Sequence, residues 1–301
     1  MGSLYSAGCQ DFLGLSPQDV ASSPLYLDCV VLTRGSSYSA LTTSCLVAFA
    51  GLLYRCILTP TFFRNRYKKS YSDLQPRQRR TFQMDHIDFI LKTISLTFSV
   101  GPVYLVLMQG RRWSDPCFGT SKFKLGDSAF FATAVLSALF LFQLLCEERL
   151  KFVDTLHHYG GLLIIQGYAA WNVSLPVGKP LLFAEVRMMA DICLLWLVLS
   201  DAYGLIKTAS LILRRCFQPA TTALVRLYMF AFCATMAMTI LEAVVVFYAA
   251  YLSWDKLSTL SKVTIYVLQG LFTWSKYNNN LPFYAMYKQS RTKSCIARCY
   301  L

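Results

Sequence analysis

A chain of 301 residues can form one large domain or two small ones, but 55% hydrophobic and only 15% charged residues exclude an ordinary water-soluble domain, where roughly 25% are charged. The charges avoid windows of about 20 residues, the length that spans a bilayer, and Tyr, Phe and Trp gather at the ends of those windows. The net charge of +13 lies in short connectors between apolar runs, which is the positive-inside pattern and excludes nucleic acid as the expected partner.

Residues 1–38 form an N-terminal segment with no basic stretch leading into an apolar core, and its first basic residue is Arg34. No cleaved signal peptide is expected, so the first span is the expected targeting signal. Seven candidate spans follow: Ser39 to Pro60, Ile87 to Met108, Ser128 to Cys146, a short one from Leu156 to Asn172, Pro180 to Ser200, Leu224 to Ser253, and Val263 to Tyr287. The expected fold class is therefore all-α, a multi-pass transmembrane helix bundle of six or seven spans, with a transmembrane domain over 39–290 and a tail over 291–301.

Lys and Arg in the connectors orient the bundle. With the connector from Arg64 to Arg80 in the cytosol, sixteen Lys and Arg fall on that side and eight on the other. This predicts a lumenal N-terminus and a cytosolic tail. The sequon Asn172-Val173-Ser174 would then be lumenal, but it lies too close to the membrane for efficient use. The eleven cysteines include no Cys-x-x-Cys pair and no zinc-type Cys/His spacing, so no metal site is expected. Cys45, Cys146, Cys193 and Cys233 read as small hydrophobes within spans, and Cys295 and Cys299 flank the last span near the tail.

Ionisable side chains at bilayer depth mark candidate sites because each costs some 2.5 kcal/mol or more. Asp88 and Lys92, and likewise Arg187 and Asp191, stand four apart and can pair within their helices. Glu242 lies alone near the middle of the sixth span, and Lys276 precedes the polar run Tyr277 to Asn280 in the seventh. Asp191 and Glu242, short acids far from the span ends, are expected to face the bundle interior.

Two of the three histidines, His157 and His158, are adjacent at the head of the fourth span. Imidazole can act as acid, base or nucleophile near neutrality. Adjacent helical residues point about 100° apart, so the two cannot share one metal ion in the usual i, i+4 manner. Asp154, four residues before His158, can orient that ring. A polar interfacial anchor is the competing reading of the same pair.

Asp154-x-x-His157-His158 at the head of a short helix, followed by Glu185 near the start of the next span, resembles the TLC-domain family. That family includes the ceramide synthases and the translocating-chain-associated membrane proteins. The basic connector before the second span and Trp113-Ser114-Asp115-Pro116 after it agree with the resemblance, which covers roughly residues 40 to 290. The resemblance implies a helix bundle around a central lipid cavity in the endoplasmic reticulum, with membrane lipids as partners. In ceramide synthases a long-chain base is N-acylated from acyl-coenzyme A, so acyl-CoA is the implied co-substrate, with no bound cofactor. The resemblance places catalysis on His157 and His158, with Asp154 as orienting partner.

Asn172 falls roughly in register with the longer ceramide-synthase signature, whereas the second His-Asp falls near Ala184-Glu185 and no histidine follows His158. The chain resembles the divergent, shorter branch of the family. Glu185, Asp191, Asn172 and Glu242 are weaker candidates for substrate binding. The expected function is lipid metabolism with acyl-CoA-dependent N-acylation as its enzymatic form. The alternatives are a non-enzymatic regulator of lipid composition or protein insertion and, further off, a seven-span receptor or transporter.

Overall fold

A computed structural model describes residues 24–147, 150, 152–173, 180–216 and 222–299, without side chains at 24–25, 168, 171–173, 180–184 and 293–299. Residues 1–23, Glu148, Arg149, Lys151, Ser174 and Lys179, and the side chains of Asn172, Cys295 and Cys299, lie outside this description. No strand occurs among the described residues.

Helix α1 spans Pro24–Leu52 and runs into a π turn at Leu53–Ile57. It begins fifteen residues before the expected Ser39 and takes in Asp28 and Arg34. Those charges tolerate a helix because both find partners: Arg34 pairs with Asp127 at 2.6 Å and Asp28 with Arg187 at 3.0 Å. The basic connector folds into two short helices, α2 (Pro60–Tyr67) and α3 (Lys69–Ser72). Thr59 starts α2 by accepting the Phe62 N–H at 3.2 Å, with Pro60 at the first helical position.

Helix α4 (Pro76–Leu107) opens on Pro76, and the Gln78 side chain accepts from the Gln75 N–H at 3.3 Å. Helices α5 (Leu125–Cys146), α6 (Phe152–Val173), α7 (Pro180–Leu213), α8 (Thr222–Leu252) and α9 (Thr259–Cys299) follow. Each overlaps one expected span, with α7 and α9 much longer than their spans. Among the described residues five helices are long and apolar enough to cross a membrane: α1, α4, α5, α7 and α8.

The main packing neighbours close a ring in the order α5, α4, α7, α8, α9, α6 and back to α5, with α1 outside against α5 and α6. Glycine permits a close contact in the ring: a Cβ at Gly161 on α6 would lie 2.5 Å from the Phe140 ring on α5. The distribution of polarity is the reverse of a soluble domain. Leu41, Leu52, Leu163, Phe230, Ile240 and Leu260 point outward and are exposed, while Asp88, Asp201, Glu242, Gln269, Lys276 and Asn280 are buried. This arrangement suits a hydrocarbon surround, and the chain is an integral, multi-pass membrane protein. Helix α9 combines both faces, with Val263, Tyr266 and Val267 outward and Gln269, Lys276 and Asn280 inward. Its inward polar face is why its average composition falls short of a spanning segment.

Candidate functional site

The ring encloses a polar cavity of about 170 Å³ at the end that carries the basic connector. Three helices each contribute a stripe at helical spacing: Asp85, Asp88 and Lys92 from α4; Asp201, Thr208 and Lys207 from α7; Ser275, Lys276 and Asn279 from α9. Helix α5 adds Phe140 and Gln143, and α6 adds Asp154, His157 and His158. Five carboxylates (Asp85, Asp88, Glu147, Asp154, Asp201) face three lysines (Lys92, Lys207, Lys276) on this wall.

Its internal bonds are specific. Asp88 takes Lys92 at 2.8 Å, as the i, i+4 spacing predicts, and its other partner is the Gln143 amide, which donates at 3.1 Å. Lys276 is ion-paired with Glu242 of α8, and its ammonium lies 5.1 Å from the centre of the Tyr203 ring. The Tyr203 hydroxyl donates to Asn280 Oδ1 at 3.0 Å. Asp201 is fully buried on the cavity wall. Glu147 caps α5 beyond the span. Burial holds its carboxyl above the usual carboxylate range, with Lys207 opposing and Asp154 and Asp88 reinforcing the shift.

His157 and His158 stand together, ring centres 5.6 Å apart, with His158 4.8 Å from Phe140 and His157 4.6 Å from Phe272. Both Nδ1 atoms are buried without a hydrogen-bond partner among the described residues. The orienting bond expected from Asp154 is not made to either Nδ1. Asp154 lines the same cavity, but its Oδ1 accepts from Asn279 at 2.7 Å and Ser275 at 3.4 Å. The cause is the proximity of α9, whose amide and hydroxyl reach the carboxylate.

Past His157 the lining changes character. His157, Leu136, Phe140 and Ser200 also border an apolar chamber with Trp196, Glu242 and Phe272. That chamber shares Thr133, Ile164, Ile165 and Cys193 with a second apolar chamber ending at Trp113 and Gly126. Polar cavity and apolar chambers thus form a series running toward the opposite end of the bundle, with His157 at the junction. On α5 the series runs from Phe140 to Gly126, fourteen residues or roughly 21 Å of helix.

The remaining expected site residues lie elsewhere. Glu185 accepts from the Ser258 N–H at 2.8 Å and the Ser261 hydroxyl at 2.7 Å, so it caps the start of α9 far from the histidines. The expected Arg187–Asp191 pair is not formed. Arg187 reaches Asp28 on α1, and Asp191 accepts the Trp113 indole N–H at 3.0 Å. Asp191 thereby fixes the tryptophan that ends the apolar series. Glu242 faces the bundle interior, as expected, on the wall of the apolar chamber, and pairs with Lys276. The third histidine, His86, lies outside the cavity among Phe63, Tyr67 and Phe82, its Nε2 2.9 Å from the Tyr67 hydroxyl. Asp85, Asp201, Lys207 and Tyr203 belong to the cavity but were not singled out as candidates by the sequence. The signal for them was the polar spacing of i, i+3, i+7 along otherwise apolar helices.

Among the described residues no three His, Cys, Asp or Glu side chains gather to hold a metal ion. The chain matches no protein-family model, no curated protein and no solved structure.

Proposed function

We propose that this is a TLC-type membrane protein of the endoplasmic reticulum that binds a lipid with its headgroup in the polar cavity and its acyl chain in the apolar series. The observation that carries this reading is the position of His157, on the wall of both compartments. A polar group held beside the imidazoles with hydrocarbon beyond them matches an amphiphile with one chain. The excess of carboxylates over lysines favours a cationic headgroup such as a protonated long-chain amine.

In the enzymatic form, acyl-CoA supplies the thioester. The bound ammonium first gives one proton to solvent; the neutral amine then attacks the carbonyl carbon while one imidazole takes its next proton. The C–S bond then breaks, and the thiolate leaves with that proton, giving an amide and free coenzyme A. Helices α6 and α9 cross the membrane with the other five, and the basic end faces the cytosol. Cys29, a disulfide cysteine near the opposite end, supports placing that end in an oxidising lumen.

Replacing both His157 and His158 with Ala tests the enzymatic form in a microsomal acyl-transfer assay using a long-chain amine and acyl-CoA. Product formation falls to background if the reading holds, and unchanged product formation ends it. A second reading, a lipid-binding regulator without turnover, is favoured by the missing Asp154 bond to the histidine Nδ1 atoms. Lipidomics after deletion separates the two. Loss of one N-acylated species indicates the enzyme, and a broad acyl-chain shift indicates the regulator.

A further inference from the structure

A second cavity opens on the basic end, outside the ring interior, and nothing in the histidine site accounts for it. It measures about 890 Å³ and is walled by Lys69 of α3, Arg214 and Arg215 at the end of α7, and Leu224 and Tyr228 in the first turns of α8. The Nε atoms of Arg214 and Arg215 are buried and have no hydrogen-bond partner among the described residues. Arg214 instead donates through Nη1 to the Met286 sulfur at 3.3 Å, a weak acceptor. Among the described residues none of the three cations forms an ion pair, and Asp73 is the carboxylate on the same wall. Burial and the neighbouring Arg214 charge lower the Arg215 pKa, so an anion here relieves both costs.

We propose that this groove binds the phosphate headgroup of an anionic phospholipid from the adjoining leaflet. Guanidinium forks match phosphate oxygens, and basic pockets between helix ends are where such headgroups lodge. The lipid source, rather than a free anion, follows from the apolar part of the wall and from its height in the membrane. Leu224 and Tyr228 line the groove, while Met229 and Phe230, next along α8, are exposed on the hydrocarbon-facing exterior. A phosphate between the arginines therefore leaves its acyl chains against an apolar helix face.

The test uses the purified full chain in phosphatidylcholine nanodiscs, titrated with dioctanoyl phosphatidic acid, dioctanoyl phosphatidylcholine and inorganic phosphate. Phosphatidic acid is expected to bind saturably and more weakly as salt rises. The double variant Arg214→Gln, Arg215→Gln is expected to lose roughly tenfold or more in affinity, at about 1 kcal/mol per basic residue near the surface. Phosphatidic acid binding no tighter than phosphatidylcholine, or an unaffected double variant, overturns the proposal. Inorganic phosphate competing as well as the lipid overturns the lipid source. Should the double variant fail to fold, Cys216 provides the second measurement, because it is exposed on the groove wall. Phosphatidic acid must slow its maleimide labelling in the unaltered chain while leaving the exposed Cys56, beside the basic connector but off the groove wall, unchanged, and equal rates overturn the proposal.

Discussion

Glu242→Gln isolates a buried ion pair inside the ring. Glu242 and Lys276 are 1% and 4% exposed, and they join α8 to α9 across a wall that otherwise packs through Val246, Ala250, Ile265 and Phe272. The substitution keeps the shape and removes the charge, leaving the buried Lys276 ammonium an amide oxygen and the Tyr203 ring face in place of its carboxylate partner. Breaking a buried pair from one side costs about 3–5 kcal/mol, which is roughly a hundredfold or more in the folded-to-unfolded ratio. Replacing both partners with apolar residues of similar volume, Glu242→Leu with Lys276→Met, removes the orphaned charge and is expected to restore most of that loss. Unfolding by sodium dodecyl sulfate in mixed micelles measures both variants, and the double-mutant cycle gives the coupling. A cost below about 1 kcal/mol for Glu242→Gln, or a double variant that loses the sum of the two single losses, refutes the buried pair.

Gly161→Leu drives a side chain into the Phe140 ring at the junction of the polar and apolar compartments, and is expected to abolish lipid co-purification; a bound-lipid yield equal to the unaltered chain counts against the lipid path. Trp113→Phe leaves the Asp191 carboxylate without its indole donor and is expected to cost about 1–3 kcal/mol in the same micellar unfolding assay. Glu147→Gln reports on pH. The folded state holds the Glu147 proton more tightly than the unfolded chain, so this group favours folding at acid pH, and that contribution is lost as pH rises from the unfolded value toward the raised folded one. The variant should flatten that decline in a melting-temperature series, and an unchanged slope assigns the decline to other groups.

The helices were legible because hydrocarbon demands long apolar runs, and each expected span overlaps an observed helix, the first running past α1 through the π turn to Pro60. The start of α1 was not, since Asp28 and Arg34 look like loop residues until Arg187 and Asp127 supply their partners. The Asp88–Lys92 pair was readable because both residues sit on one helix. Arg187 and Asp191 obey the same spacing, yet each finds a stronger partner on another element. A one-helix rule cannot weigh Asp28 and Trp113, which are distant in sequence. The histidine pair was visible as an isolated polar feature, whereas the cavity around it depends on four further elements meeting. Glu185 shows the converse: an acid near a span start serves equally well to cap a neighbouring helix.

Lipid extracted from the purified chain and identified by mass spectrometry tests the lipid-binding claim most directly. The account predicts a single-chain amphiphile, an acyl-coenzyme A or a long-chain amine, at a fixed ratio to protein and missing from Gly161→Leu. An extract indistinguishable from that of an unrelated membrane protein purified in the same detergent contradicts it.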